Sequence, residues 1–290
     1  MFHGSIVALV TPFQKGKVDE KSLRDLVSWH CDQGTQGIVV GGSTGEGSLL
    51  SQEERTRVIS ITIETASKRL PIIVGCGSPS TEEANSMALE AKRLGADGIL
   101  ATTPYYVKPS QEGLYQHFSY INKSVDIPMI IYSVPGRAVV EISIDLLLKL
   151  SELENVVGLK DSTSDMSRPA LMRSRLRKQM SLLCGDDPFT AAYLAQGGDG
   201  SISVVGNIVP KLCRQLIDSW KCGNLTIFSK LTHQLTELCR ALFLETNPCP
   251  VKYALSAMGK IQNELRLPLL PVTTDTEEKM NIALKDLGVI

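Results

Sequence analysis

Short apolar runs alternate with helix-period segments eight times along this chain, and few folds accommodate that rhythm. The runs fall at residues 6–10, 37–40, 71–75, 98–101, 128–132, 156–160, 181–185 and 201–205. They are rich in Val, Ile and Leu without polar alternation, as strands buried on both faces must be. Amphipathic stretches at 20–33, 52–68, 80–94, 111–123, 144–151, 168–177 and 188–195 separate them. Ser51 ahead of Glu53 and Glu54, and Ser80 ahead of Glu82 and Glu83, supply hydroxyl caps followed by first-turn acids. Gly34 and Gly95 stand where a left-handed residue closes a helix.

Eight such units fit either a doubly wound open sheet or a closed barrel. A glycine fingerprint for a dinucleotide after the first strand would favour the open sheet, but Val10 is followed by Thr11, Pro12 and Phe13. Three strand entries recur in similar context (Gln36-Gly37, Asp97-Gly98 and Asp199-Gly200), as a quasi-repeating unit would produce. The expected fold is therefore α/β, a (β/α)₈ TIM barrel spanning residues 1–222, and 290 residues suit one barrel. Helical periodicity continues at 210–221, 225–243, 251–258 and 277–287. One helix completes the barrel, so residues 223–290 are expected as a C-terminal helical region, packed on it because no Pro/Gly/Ser-rich linker intervenes.

Charge and composition narrow the function classes. With a net charge of −1, no long-range field draws in nucleic acid or an anionic membrane. No stretch approaches the roughly 20 apolar residues of a membrane span. The segment from Met1 to Gly4 lacks the charged and apolar regions of a secretory leader. Seven cysteines without C-x-x-C spacing read as reduced thiols of a cytoplasmic protein. Cys249 has no histidine near it in sequence and reads as a small hydrophobe before a nucleophile. The four histidines are dispersed and none falls at a strand end, so no metal site is expected.

In a barrel the functional side chains sit at the C-terminal strand ends. Those positions here carry Thr11, the glycine-rich loop Gly41 to Gly47, Thr103 to Tyr106, Tyr132 with Arg137, Lys160-Asp161, Gly185 to Asp187, and Asn207. Lys160 ends an otherwise buried strand, where an ammonium is costly and a neutral amine is free to attack a carbonyl as a Schiff-base nucleophile. The plain alternative is a rim ion pair with Asp161. Tyr132 ends the neighbouring strand and can present a hydroxyl as proton carrier, or be a core tyrosine with a wet tip. The glycine loop offers amides and the Ser43 and Thr44 hydroxyls to a carboxylate or phosphate. Arg137 suits a second carboxylate, or is simply solvated. The segment from Gly197 to Ile202 could suggest a barrel phosphate site.

Together these motifs resemble the class I, lysine-dependent pyruvate aldolase superfamily, and within it the dihydrodipicolinate synthase family. The resemblance runs from Val7-Ala-Leu-Val-Thr-Pro-Phe13 through Gly42-Ser-Thr-Gly-Glu46, Thr103-Pro-Tyr-Tyr106, Tyr132-Ser-Val-Pro-Gly-Arg137, Gly158-Leu-Lys-Asp161 and Gly185-Asp-Asp187 to Asn247-Pro-Cys-Pro-Val-Lys252. It implies a covalent imine between Lys160 and pyruvate, with no other cofactor. The Ser43 and Thr44 amides would hold the pyruvate carboxylate, and Tyr132, Thr44 and Tyr106 would relay protons. In the family that second tyrosine comes from an adjacent subunit, which implies a homo-oligomer, a dimer at least and commonly a tetramer. Arg137 would bind the carboxylate of aspartate semialdehyde, and carbonyls at Gly185 and Ile202 would line the site. The product would enter lysine and diaminopimelate biosynthesis.

Two alternatives remain open, one of them from a different class. Sugar-acid lyases and aldolases share the loop, tyrosine and lysine but generally lack the arginine, while Ser43 in place of Thr leans towards them. A non-catalytic sensor barrel would bind without turnover, against which the intact Lys160, Tyr132, Thr44 and Tyr106 set speaks. For regulation by lysine, Glu83 and Tyr105 match the family's interface site. Gln52, Arg55 and Pro79 depart from it, so weak or absent inhibition is expected.

Overall fold

The computed structural model describes residues 2–290; Met1, the first residue of the stretch read above for a leader, lies outside them. Eight parallel strands close into a ring: β1 (Gly4–Ala8), β2 (Gly37–Val40), β3 (Ile72–Cys76), β4 (Gly98–Thr102), β5 (Met129–Ser133), β6 (Val156–Asp161), β7 (Ser181–Cys184) and β8 (Gly200–Ser203). Strand β8 pairs with β1, Ile202 opposite Ile6, which seals the ring and leaves no edge. The expected barrel is the fold. Period-two alternation sorts the side chains into two cores. Ile6, Val39, Ile73, Leu100, Leu183 and Ile202 pack inside the ring. Their neighbours Val7, Ile38, Val74, Ala101 and Leu182 pack outward against the helices. Both faces are apolar, as the sequence runs require.

The outer layer is α1 (Glu20–Asp32), α2 (Gln52–Ala66), α3 (Thr81–Leu94), α4 (Gln111–Ser124), α5 (Ile144–Ser151), α6 (Arg168–Arg175), α7 (Thr190–Ala195) and α8 (Pro210–Lys221). Ser51 and Glu54 form a reciprocal capping box at the start of α2. Ser80 accepts the Glu83 N–H at the start of α3. Gly34 and Gly95 adopt φ of 79° and 90°, as their positions at helix ends demand.

Two strands differ from expectation by two residues at a boundary, and the others by no more than one. The first strand begins at Gly4 and ends at Ala8, because the Val10 N–H leaves the ladder to donate to Asn207 Oδ1 at 3.2 Å. The eighth ends at Ser203, because the Asp187 carboxylate captures the N–H groups of Val204 and Val205 and the chain coils into a 3₁₀ turn, Val205–Asn207. The segment expected as one helix at 188–195 divides into a 3₁₀ turn, Asp187–Phe189, and α7.

The recurrent strand entries have a structural cause. Gln36 Oε1, Asp97 Oδ2 and Asp199 Oδ2 accept the N–H groups of Ser5, Ile72 and Leu182 at 3.0, 2.8 and 2.7 Å. Each caps the start of the neighbouring strand at the end of the barrel away from the site, where a buried N–H would otherwise lack a partner.

Three helices follow the barrel: α9 (Leu225–Leu242), α10 (Cys249–Ala257) and α11 (Thr274–Asp286). Helix α9 packs along α8, and α11 packs on α9 and α10. Among the described residues no helix is long and apolar enough to cross a membrane. All seven cysteines are free.

Candidate active site

The ladder fixes the neighbours of Lys160: Tyr132 on β5 and Leu183 on β7. Because Leu159 belongs to the outer core, Lys160 must face the interior. Its side chain is 5% exposed, and Nζ sits 4.1 Å from the centroid of the Tyr132 ring. Asp161 points the other way. Its Oδ2 accepts from Arg168 Nε at 2.9 Å and its Oδ1 from the Thr163 N–H at 3.0 Å. The rim pair between Lys160 and Asp161 does not form, and the amine is left with an aromatic face beside it. Gly185 makes room for it: a Cβ there would lie 3.1 Å from Lys160 Cε and 3.0 Å from the Asp161 carbonyl.

The loop after β2 is built from contacts that only glycine permits. A Cβ on Gly75 would come within 2.7 Å of the Gly41 carbonyl, and one on Gly47 would overlap it. The N–H groups of Gly45 and Gly47 donate to Gly42 O, and that of Glu46 donates to Ser43 O. Among the described residues the Ser43 and Thr44 N–H groups donate to no protein acceptor, which leaves two adjacent amides for an anion. The Thr11 hydroxyl donates to Gly45 O at 2.6 Å. Glu46, in the left-handed region at φ 51°, anchors the loop from below. Its carboxylate accepts from Lys252 Nζ at 2.5 Å and from the Arg266 N–H at 3.0 Å, with both charged side chains of the ion pair fully buried. Burial pulls the Lys252 ammonium below its ordinary value, and Glu46 pulls it back up.

One cavity of about 520 Å³ brings together Ser43, Tyr132, Arg137 and Lys160. Tyr132 is 6% exposed, and its main-chain carbonyl accepts the Thr103 hydroxyl at 2.9 Å. Thr44 is buried beside the loop and its Oγ1 accepts from Asn247 Nδ2 at 2.9 Å. Arg137 stands on a single helical turn, Pro135–Ala138, and donates from Nη2 to the Asn247 carbonyl at 2.9 Å. The rest of its fork is free to meet a carboxylate.

Four expected site residues, Thr44, Gly185, Ile202 and Tyr106, do not line this cavity. Gly185 backs Lys160 without lining the cavity. The Ile202 side chain is fully buried in the interior apolar layer that also holds the Tyr132 ring, and its role was expected of the main-chain carbonyl. Tyr106 is 89% exposed at φ 72° and does not reach the cavity of its own chain. Neither buried histidine lines the cavity: His30 is held against Thr35 and His117 against Thr81, and burial pulls their imidazoles down to about 3 and about 4. No cluster of three or more His, Cys, Asp or Glu among the described residues is arranged to hold a metal. Cys249 is buried with its thiol pushed up by burial, as an inert thiol would be.

The same cavity extends past the loop to Gln52, Arg55, Glu83 and Tyr105. Glu83 accepts from the Ser78 hydroxyl at 2.5 Å. Burial, with Glu83 nearby, pushes the Tyr105 phenol up. Arg55 donates from Nη2 to Gly75 O at 2.6 Å, and its buried Nε has no protein partner.

Sequence reasoning gave no role to Glu46, Lys252 or Asn247. No local pattern links residues some 200 positions apart, although the Asn247 to Lys252 segment stood out as a motif.

Fold and site together define a closed α/β barrel carrying a buried amine, an aromatic hydroxyl and a pair of free amides at the C-terminal ends of its strands. A profile of the dihydrodipicolinate synthetase family matches residues 1–287. The 4-hydroxy-tetrahydrodipicolinate synthase of Rhodospirillum centenum is 46% identical over the whole of both chains. The crystal structure of dihydrodipicolinate synthase from Aquifex aeolicus superposes with a TM-score of 0.97 at 42% identity, covering 99% of each chain. That of the Acinetobacter baumannii dihydrodipicolinate synthase, complexed with pyruvate, gives 0.98 at 45% identity over all of both chains. The chain belongs to the dihydrodipicolinate synthetase family.

Proposed function

We propose that this chain condenses pyruvate with aspartate 4-semialdehyde to give 4-hydroxy-tetrahydrodipicolinate. The observation that carries the reading is a buried lysine, held in no ion pair among the described residues, sharing one cavity with Tyr132, Ser43 and Arg137. The Lys160 amine adds to C2 of pyruvate and water leaves, forming an imine that serves in place of an external cofactor. The Ser43 and Thr44 amides hold the pyruvate carboxylate. Tyr132, with Thr44 beside the loop, moves the protons of imine formation and takes one from C3 to give the enamine. The enamine carbon attacks the aldehyde. The amino group of the second substrate then attacks the imine carbon, closes the ring and releases Lys160, with one water lost overall.

Tyr106 supports an assembly. Its strained backbone holds a large aromatic ring in solvent, away from its own cavity, which fits delivery into a neighbouring copy. On this reading the working unit is a homo-oligomer, a dimer at least and a tetramer in its full form. The barrel is completed by residue 222, and residues 223–290 brace the site through Lys252, Arg266 and Asn247. Free cysteines throughout fit a reducing cytoplasm.

The identity of the second substrate is tested at Arg137. Arg137→Ala should cut kcat/KM for aspartate semialdehyde roughly 10- to 100-fold, through KM, by losing charge-assisted hydrogen bonds. KM for pyruvate should stay within about threefold. An unchanged KM for the semialdehyde, or better turnover of a sugar-acid aldehyde, would reassign the second site.

Regulation by lysine should be weak. The Glu83–Tyr105 chamber also holds the buried Arg55 guanidinium, which opposes a cationic ligand, and Pro79 offers no amide donor. Steady-state rates at millimolar lysine should fall by less than about half, given a like charge in a poorly screened pocket. Strong inhibition at sub-millimolar lysine would contradict this.

A further inference from the structure

We infer that Asn247 is a positioning residue that sets the direction of the Thr44 hydroxyl and ties it to Arg137, an inference that rests on the pyruvate reading above. Asn247 lies between α9 and α10, where the C-terminal region meets the mouth of the barrel. Its side chain donates from Nδ2 to Thr44 Oγ1 at 2.9 Å, and its main-chain carbonyl accepts Arg137 Nη2 at 2.9 Å. One residue therefore touches both the pyruvate loop and the arginine that faces the second substrate.

The polarity of the first bond matters. A threonine hydroxyl has one proton to give and two lone pairs, whereas an amide NH₂ can only donate. With Nδ2 occupying a lone pair, the Thr44 proton has to point elsewhere. Thr44 is 2% exposed, so bulk water is not its natural partner. The proton is thus kept available for the tyrosine hydroxyl in the relay. The opposite amide orientation would turn Oδ1 towards Thr44 and consume that proton. In the observed orientation Oδ1 is buried and makes no hydrogen bond among the described residues, an unsatisfied acceptor of the kind that calls for a reason. One further contact keeps the partners in register. Glu46 lies two residues beyond Thr44 and Lys252 five beyond Asn247, and their buried ion pair fastens the two segments side by side.

Asn247→Asp tests this with almost no change in shape. The carboxylate can only accept, so Thr44 must donate to it and leave the relay, while the main-chain carbonyl still holds Arg137. The kcat should fall about 30-fold or more, within the range of general acid–base contributions. Both KM values should stay within about threefold, and borohydride should still trap pyruvate on Lys160. As pH falls through the carboxylate range the side chain regains a donor, so the variant-to-wild-type ratio of kcat should rise. In the Thr44→Val background the change should have no further effect, because the group it acts through is gone. Asn247→Ala, which also keeps the main-chain carbonyl, should show the same split between kcat and KM, and covers the case in which the aspartate variant folds poorly. A ratio flat with pH, a kcat within threefold of wild type in both variants, or a loss that adds to that of Thr44→Val overturns the role assigned to Asn247. Failure to trap pyruvate in the wild-type protein overturns the parent reading instead, so the two are told apart.

Discussion

Lys160→Met should lose turnover by roughly 10⁴-fold or more, the scale seen when a covalent nucleophile is removed. Folding should not suffer. Lys160 is buried beside an aromatic ring, and the carboxylate next to it in the chain, Asp161, is held by Arg168 and Thr163. Methionine is unbranched and of similar length, and it fills the space without an amine to desolvate. The thermal midpoint should therefore equal or exceed that of the wild type, a gain in stability at the expense of function. Residual turnover within about 100-fold of wild type would mean that the amine is not the nucleophile, because no other group in the cavity can form the imine. A large fall in midpoint would mean that Lys160 is structural.

The second large effect lies away from the chemistry. Lys252→Met leaves the Glu46 carboxylate buried with one remaining donor, the Arg266 N–H. Removing one member of a buried pair costs about 3–5 kcal/mol. For a chain of this size the midpoint should drop on the order of 10 °C. Glu46→Gln combined with Lys252→Met removes both charges and should recover most of the loss. The single variant should also bind pyruvate more weakly below its melting range, since Glu46 is what holds the Ser43 and Thr44 amides in place. Recovery confined to stability, with pyruvate binding unaffected throughout, would detach the ion pair from the loop. A single variant as stable as wild type would mean that the pair is solvated.

The barrel was legible because its strands are apolar on both faces and its helices carry their own start and stop signals. Ser51 and Gly95 act through neighbours three or four residues away, and such local chemistry survives in the linear chain. Boundaries were less legible where side chains from elsewhere end a strand. Val10 looks like a strand residue by composition, but Asn207, almost 200 residues on, takes its N–H. The recurrence at Gln36, Asp97 and Asp199 was visible as a repeat, whereas its job of capping strand starts needed the neighbouring strands in space.

The same division holds in the site. Lys160 and Tyr132 could be placed side by side because adjacent strands carry them to the same rim. Whether Lys160 paired with Asp161 could not be read, since successive residues of a strand face opposite ways and the partner that claims Asp161 is Arg168 on α6. Tyr106 marks the limit of a single chain, because its ring faces solvent and does not line the cavity of its own copy. Glu46, Lys252 and Asn247 were invisible as partners, since long-range polar pairs leave no periodic trace.

The imine on Lys160 is the centre of the account, and it can be trapped. The protein is incubated with pyruvate and borohydride, digested, and its peptides are weighed. A single reduced pyruvate adduct is expected on the peptide that carries Lys160, absent from Lys160→Met. No adduct, or one spread over exposed lysines with Lys160 unmodified, would contradict it.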